Sequence, residues 1–231
     1  MVLLNGNPRG EAFYSAAALT NCDGPIFDFA ALDAAVLERE PFDFVVVPDF
    51  VADRSLAAAI RDFPKIKGPA NFSVDRLDFG PGFAQLLDAL NGDEFAARIG
   101  AKFDLDLVGC PTTITVRKFC EASDGNIHTD HRSKIITVLL YFNAEWNHEG
   151  GRLRMLRSAK NLEDYVTEVP PLGGTLLVFR RTDNSYHGHK QFIGERRMLQ
   201  MNWLKPSRKA QYRQRFDRFC THLLKRASSL N

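Results

Sequence analysis

The sequence predicts an α+β protein, mainly β, with a jelly-roll core flanked by N-terminal helices and a C-terminal helix. Two observations lead to this fold class. From about Cys110 to Leu204, short β-branched or aromatic runs follow one another, separated by Gly, Asn, Asp or Pro. Eight such runs in about ninety-five residues are typical of a double-sheet jelly roll or a similar barrel. Before Cys110, apolar residues recur instead at helical spacing.

The part of the chain before the predicted core divides into two zones. Residues 1–40 are expected to form an N-terminal extension, and residues 41–110 a strand with supporting helices. The run FDFVVVPDF, residues 42–50, indicates a buried strand that ends at its proline. Asp53 is expected to cap a helix that continues to about Phe63, because the next residue is a proline.

A further helix is expected over residues 83–100, where one face is apolar. That face consists of Phe83, Leu86, Leu87, Leu90, Phe95 and Ile99. The segment between the two helices, residues 64–81 with the motif NFSVDRLDFG, is the candidate lid or substrate loop, from its position and composition.

Residues 111–205 are expected to form the catalytic jelly-roll core, and residues 206–231 a basic C-terminal helix. The last 27 residues, 205–231, contain eight Lys or Arg and one acid, which gives this segment a charge of +7 in a chain of net charge +2. A basic tail can bind nucleic acid. A solvated helix face is the preferred interpretation, so nucleic acid is not an expected partner.

Composition excludes some classes of protein. No apolar run approaches the ~20 residues that a membrane span requires. No basic region followed by a long apolar run begins the chain, so a secretory signal is not expected. The four cysteines form no CxxC motif, which favours reduced thiols and a cytoplasmic location. Composition does not indicate the oligomeric state.

The stretch GNIHTDHRSK places His128 and Asp130 two residues apart. In a strand these side chains share a face and can reach one metal ion. The spacing alone is a weak signal, and a polar turn is the alternative. His187, in NSYHGHK, lies four predicted strands later and can be a spatial neighbour in a jelly roll. Two histidines and one carboxylate form the facial triad of non-haem Fe(II) oxygenases.

Two other histidines lie close to these residues in the sequence. His131 is not expected to bind the metal, and His189 is expected to face the substrate or support the site.

Two arginines follow in GERRMLQMNWL, and one of them could hold a distal carboxylate bidentately. Strand alternation places Arg196 on the face of Met198, Gln200 and Asn202, and Arg197 on the opposite, more apolar face. The more polar face is the better lining for a wet cavity, so Arg196 is preferred and Arg197 is the alternative anchor.

These motifs in their order resemble one known family. HTD, TVLLYFN, EGGRL, PPLGGTLLVF, SYHG and GERR together are similar to the Fe(II)- and 2-oxoglutarate-dependent dioxygenases, in the branch similar to prolyl hydroxylases. The resemblance covers roughly residues 42–204 and is best over residues 112–204. It implies a double-stranded β-helix, cupin-like core.

The resemblance also implies roles for individual residues. His128, Asp130 and His187 would be the catalytic metal ligands. Arg196 would bind the distal carboxylate of 2-oxoglutarate together with the hydroxyl of Tyr141, and Thr137 would face the same cavity. The sequence departs from the branch at Phe119, which stands where a tyrosine is common, so one co-substrate hydrogen bond must come from elsewhere.

The implied function is hydroxylation of an unidentified small-molecule, peptide or protein substrate, with release of succinate and CO2. The implied cofactors are Fe(II), 2-oxoglutarate as co-substrate and O2, with ascorbate as an optional addition. Two alternatives remain. A cupin-type metal-dependent isomerase or hydrolase would use the triad but leave Arg196 and Tyr141 without a task. A non-catalytic jelly-roll binding module would not require the three ligands.

Overall fold

The computed structural model describes residues 24–206, in which four α-helices precede most of a two-sheet core. The helices are α1 (Phe29–Ala34), α2 (Asp53–Arg61), α3 (Pro81–Leu90) and α4 (Asp93–Phe103). The strands are β1 (Phe44–Val47), β2 (Phe72–Ser73), β3 (Thr112–Cys120), β4 (Lys134–Tyr141), β5 (Leu153–Leu156), β6 (Tyr165–Val169), β7 (Leu176–Arg180), β8 (His187–Gly188) and β9 (Gly194–Leu204). Most of the predicted N-terminal extension and the predicted basic helix lie outside the described residues. None of the helices described is long and apolar enough to cross a bilayer.

The strands form a larger and a smaller sheet. The larger sheet has the order β1-β7-β4-β9-β3-β2, and the smaller has the order β6-β5-β8. Every neighbouring pair of named strands is antiparallel. Strands distant in sequence are therefore neighbours in space, as in β9 between β3 and β4. The prediction of a mainly β, double-sheet core is confirmed.

Side-chain alternation in the larger sheet separates two hydrophobic clusters. In β4, Val138 and Leu140 point to the side covered by the helices, while Leu139 and Tyr141 point to the space between the sheets. All four are buried. Burying a side chain of the size of Val or Leu contributes about 1.5–3 kcal/mol, so both faces of this strand stabilise the fold. The polar Thr137 shares the inter-sheet face, and it is this face that carries the site.

The prediction of a single helix over residues 83–100 was wrong. The apolar face is divided between α3 and α4, which are separated by Asn91 and Gly92. Asn91 keeps helical dihedrals, whereas Gly92 is extended at ψ 149°. Both helices still bury their apolar residues in the same cluster against the sheet.

Two local predictions also need correction. The residue that caps α2 is Ala52, without a side-chain hydrogen bond, and Asp53 is the first helical residue, where a carboxylate still interacts favourably with the helix dipole. The segment around NIHTD is not a strand. It makes one isolated antiparallel bridge, between His128 and His187.

The candidate lid, residues 64–81, is partly built into the larger sheet. Its strand β2 pairs with β3 through Phe72 opposite Val116 and Ser73 opposite Thr115. A 3-10 turn over Val74–Arg76 follows. This pairing places the segment at the edge of the larger sheet.

Candidate metal centre and its cavity

The two predicted histidine ligands face each other across a backbone bridge. The amide of His128 donates to the carbonyl of His187 at 3.0 Å, and the amide of His187 donates to the carbonyl of His128 at 3.0 Å. Residues paired in this way point to the same side. The two imidazole rings therefore lie 4.4 Å apart between centroids.

Asp130 completes a cluster that can hold a metal ion. One ligand atom from each of His128, Asp130 and His187 lies within 4.8 Å of the other two. In each histidine the Nδ1 atom contacts a backbone carbonyl, that of Asn126 at 2.8 Å and that of Ser185 at 3.0 Å. A proton on Nδ1 satisfies these carbonyls and leaves the Nε2 lone pair for a metal. Two imidazoles and one carboxylate fit Fe(II).

The protonation states of the cluster suit metal binding. Burial, followed by the charge of His128, lowers the pKa of His187 to about 4, so this imidazole is neutral at neutral pH. Burial alone would raise the pKa of Asp130. The charge of Lys134 and the hydrogen bonds from Lys134 and Thr137 to that carboxylate outweigh burial and hold the pKa below its usual value. The neutral imidazole and the ionised carboxylate are the forms that coordinate metals.

Asp130 is held at three points. Lys134 Nζ donates to Oδ1 at 2.7 Å, and Thr137 Oγ1 donates to Oδ2 at 2.5 Å. Arg181 Nε donates to the Asp130 backbone carbonyl at 3.0 Å. Asp130 is only 8% exposed, so water competes little with these contacts, and they fix the orientation of the carboxylate.

Arg196 lies in the wall of the cavity that contains the triad. Its side chain is 3% exposed, and Nε donates to the carbonyl of Gly151 at 2.7 Å. Gly151 has φ +76°, and a Cβ there would lie 2.6 Å from the Trp146 ring, so the glycine permits the turn that presents this carbonyl. Nη1 contacts the sulfur of Met198. Within residues 24–206, no acidic side chain forms a salt bridge with Arg196.

Tyr141 lies behind the cavity wall, with its ring 5.2 Å from the Arg196 guanidinium. The hydroxyl is buried and has no hydrogen-bond partner. Burial raises the pKa of Tyr141, and the nearby positive charge of Arg196 reduces this effect without reversing it. The phenol is therefore a neutral donor. Thr137, the third predicted co-substrate residue, lines the cavity directly.

Arg197 points away from this cavity. Its Nε contacts Glu195 Oε1, and its guanidinium lies 5.8 Å from the ring of Phe63. It lines a separate depression with Trp146 and His148. The alternation along β9 therefore places Arg196 inside and Arg197 outside, as the sequence predicted.

Sequence reasoning missed part of the cavity wall. Arg117 on β3 forms a salt bridge with Asp124 at 2.5 Å and donates to Asn71 Oδ1 at 2.9 Å, and all three line the cavity. The sequence did contain a pattern that could have placed Arg117 on the cavity side. Along β3 the buried Ile114 and Val116 alternate with Thr113, Thr115 and Arg117, which therefore share the opposite face. Asn71 comes from the candidate lid, and no local pattern marked it.

Three further histidines lie in or near this part of the structure. His189 lines the cavity, and burial, together with the charge of Arg196, lowers its pKa to about 4. His131 is exposed and contacts Ser133 Oγ at 2.8 Å. His148 packs beside Trp146, with ring centroids 5.5 Å apart.

Comparison with known proteins shows what this chain is similar to. Residues 117–205 match the family model described as the 2OG-Fe(II) oxygenase superfamily. No match was found among the curated proteins. The structure is similar to that of a Pseudomonas putida prolyl-4-hydroxylase, at 20% identity and TM-score 0.52, over 70% of this chain and 92% of that chain.

Two further solved structures have the same fold. One is a Trichoplax adhaerens prolyl hydroxylase in complex with a hypoxia inducible factor oxygen degradation domain peptide fragment, with 18% identity, TM-score 0.52 and coverage of 70% of this chain and 83% of that chain. The other is a Phytophthora capsici prolyl 4-hydroxylase, with 17% identity, TM-score 0.51 and coverage of 72% and 60%. The predicted resemblance is confirmed: residues 117–205 match the 2OG-Fe(II) oxygenase superfamily model, and prolyl hydroxylases are among the structures that share the fold.

Proposed function

We propose that this protein hydroxylates its substrate in a reaction that consumes 2-oxoglutarate and O2 and releases succinate and CO2. The observation that supports this most strongly is the buried Arg196 guanidinium, which has no acidic partner in residues 24–206 and lies beside the unpartnered hydroxyl of Tyr141. A buried unpaired charge is costly, so an anionic ligand is expected there. The distal carboxylate of 2-oxoglutarate can accept from both groups.

The residues divide the work between binding and orientation. His128, Asp130 and His187 would hold Fe(II), and three ligands leave coordination positions for the co-substrate and O2. Bound Fe(II) supplies the redox chemistry that places one oxygen atom of O2 in succinate and the other in the hydroxylated product. Leu139, Leu153 and Phe179 line the cavity and limit water around the triad.

The substrate is proposed to be a small molecule or a peptide that approaches along the wall formed by Asn71, Arg117 and Gln200. These groups line the cavity and are not assigned to the metal or the co-substrate. The peptide bound to the Trichoplax adhaerens protein supports including peptides in this class. An isomerase or hydrolase that needs only a metal would leave Arg196 without an anionic ligand, so the oxygenase is preferred.

A spectroscopic experiment tests the co-substrate chelate without knowledge of the substrate. Fe(II) and 2-oxoglutarate are added to the protein in the absence of O2, and the visible charge-transfer band of the chelate is expected. A His187→Ala variant is the control and should lack the band. A folded wild-type protein without the band would exclude the proposed activity. Succinate release is then measured with amino acids, sugars and peptides to find the substrate.

A further inference from the structure

A row of polar side chains crosses three strands of the larger sheet, buried at Thr137 and Asn202 and exposed at Thr113. Thr137 on β4 lies opposite Asn202 on β9, and Asn202 lies opposite Thr113 on β3. Thr137 is 1% exposed and Asn202 is 4% exposed. Polar groups buried to this extent need hydrogen-bond partners, so the orientations of Thr137 and Asn202 are constrained by their neighbours.

Two neighbouring oxygens could accept the single hydroxyl hydrogen of Thr137. Thr137 Oγ1 lies 2.5 Å from Asp130 Oδ2 and 3.2 Å from the oxygen assigned to the Asn202 amide. A hydroxyl donates one hydrogen. The shorter contact, to an ionised carboxylate, is also the stronger. If Thr137 donates that hydrogen to Asp130, the Thr137 oxygen and an Asn202 amide oxygen facing it would be two acceptors in contact, with no hydrogen between them.

Reversing the Asn202 amide removes this conflict. The oxygen and nitrogen of a side-chain amide are assigned from their hydrogen-bond network. The Asn202 nitrogen then donates to the Thr137 oxygen, 3.2 Å away. The Gln200 amide, also 3.2 Å from this position, is reversed in the same way, so that its oxygen accepts from the Asn202 nitrogen. The Asn202 oxygen accepts from the Thr113 hydroxyl at 3.3 Å. Each contact in the row then joins a donor to an acceptor.

We propose that Asn202 is a positioning residue for the metal ligand Asp130. Its amide N–H donates to the Thr137 oxygen, which commits the only hydroxyl hydrogen of Thr137 to Asp130 Oδ2 and fixes the rotation of that carboxylate. The inference rests on the proposed function only in requiring that the triad binds a metal. Residues that orient metal ligands typically change metal affinity by 10–100-fold when replaced.

The test is calorimetric titration of the full-length protein with Co(II) alone, without co-substrate or substrate. Thr137→Val removes the hydroxyl and is expected to weaken Co(II) binding roughly 10–100-fold. Thr137→Ser keeps the hydroxyl and should restore most of the affinity. Thr115→Val makes the same chemical change opposite Gln200, outside the row, and should bind as wild type does.

The direction of the Asn202 hydrogen bond is tested with Asn202→Asp. The new carboxylate can only accept, so it competes with Asp130 for the Thr137 hydrogen, and Co(II) binding should weaken by a similar factor. Its added negative charge attracts the cation directly, so the expected decrease runs opposite to that attraction. Unchanged or tighter binding would overturn the inference.

A double variant separates positioning from general damage to the fold. In the Thr137→Val background, Asn202→Asp should weaken Co(II) binding no further, because the two residues act through one hydrogen bond. Additive losses of Co(II) affinity would overturn the inference. If Asn202→Asp does not fold, the inference is overturned when Thr137→Val and Thr137→Ser bind Co(II) equally well. Wild-type protein that fails to bind Co(II) would instead overturn the metal centre itself.

Discussion

At the scale of single residues, the site is defined by which side chains are charged and which are neutral. His187 is neutral because burial lowers its pKa, while Asp130 stays ionised because Lys134 and its hydrogen bonds outweigh burial. Arg196 carries a buried charge that the described acidic residues do not neutralise. Such a combination is costly for a fold alone and is typical of a site that binds a metal and an anion.

Arg196→Ala is expected to weaken 2-oxoglutarate binding by about 2–3 kcal/mol, roughly 30–150-fold, because a charge-assisted hydrogen-bonded contact is lost. Co(II) affinity should be preserved, since Arg196 is not in the metal cluster. The measurement is calorimetric titration of the Co(II)-loaded protein with 2-oxoglutarate. Arg197→Ala is the matched control and should bind as wild type does, because Arg197 contacts Glu195 on the other face. The opposite result would reverse the assignment of the two arginines.

At the scale of elements, loops and helix ends bring the site residues into place. The loop that precedes His128 is joined to β3 by the salt bridge between Arg117 and Asp124. The same loop passes close to His189 at Gly125, which has φ +96°. The helices behind the sheet are joined in a similar way, because Asp62 at the end of α2 accepts from the backbone of α3.

Gly125→Ala is expected to displace the loop that carries His128. A Cβ at this position would lie 2.6 Å from His189 Nδ1, and the positive φ adds strain, so we expect a loss of about 1–3 kcal/mol of stability and weaker Co(II) binding. Chemical unfolding and calorimetry measure the two effects. Gly109→Ala is the control, since Gly109 has φ +74° with open space around it and lies outside the cavity. Equal Co(II) affinity in both variants would show that the close approach at Gly125 is unimportant.

Asp62→Ala should destabilise the helical layer by about 1 kcal/mol, because the carboxylate accepts the Gly82 amide at 2.6 Å and so caps α3 from another helix. The hydrogen bond from Arg61, and to a smaller extent that from Gly82, hold the pKa of Asp62 below 3.8 despite burial. Its contribution is therefore present above about pH 4 and is lost as the pH falls through the lower, folded-state pKa.

Urea unfolding at neutral and at acidic pH measures this effect. The difference between wild type and Asp62→Ala should shrink as the pH is lowered. Asp88→Ala, on the exposed side of α3, is the control and should change stability by less than about 0.5 kcal/mol. A pH-independent difference would contradict a role for the ionised carboxylate.

At the scale of the whole molecule, one sheet separates the two hydrophobic clusters formed by residues 24–206, and of these only the inter-sheet cluster adjoins the cavity. Phe95 belongs to the helix-side cluster, where its ring lies 5.7 Å from Trp203 and 5.4 Å from Phe27. Since the strands contribute to both clusters, we expect residues of the described core to unfold in one cooperative transition.

Phe95→Ala is therefore expected to lower the free energy of unfolding by about 3–5 kcal/mol, because a fully buried ring is lost. The folded variant should bind Co(II) as wild type does, since the ring is on the helix side of the sheet. Calorimetric melting and Co(II) titration test the two statements. Val36→Ala, at a side chain 72% exposed, should leave stability unchanged. Two separate melting transitions would show that the clusters fold independently.

The sequence by itself determined the features that depend on local spacing. Alternation along β9 separated Arg196 from Arg197, because neighbouring side chains in a strand point in opposite directions. The spacing of His128 and Asp130 also brought these two residues together in the prediction, although the segment that carries them is not a strand. The boundary between α3 and α4 was missed, since apolar spacing alone does not show where two helices with a shared stripe are interrupted. The domain divisions remain a prediction.

Only the tertiary structure decided which distant residues meet. Three features depend on strand register between segments far apart in sequence: the bridge that pairs His128 with His187, the lack of an acidic partner for Arg196 among residues 24–206, and the row from Thr113 to Thr137. Register is set by the packing of the whole sheet and not by any one strand, so a local pattern gives the face of a residue but not the residue across from it.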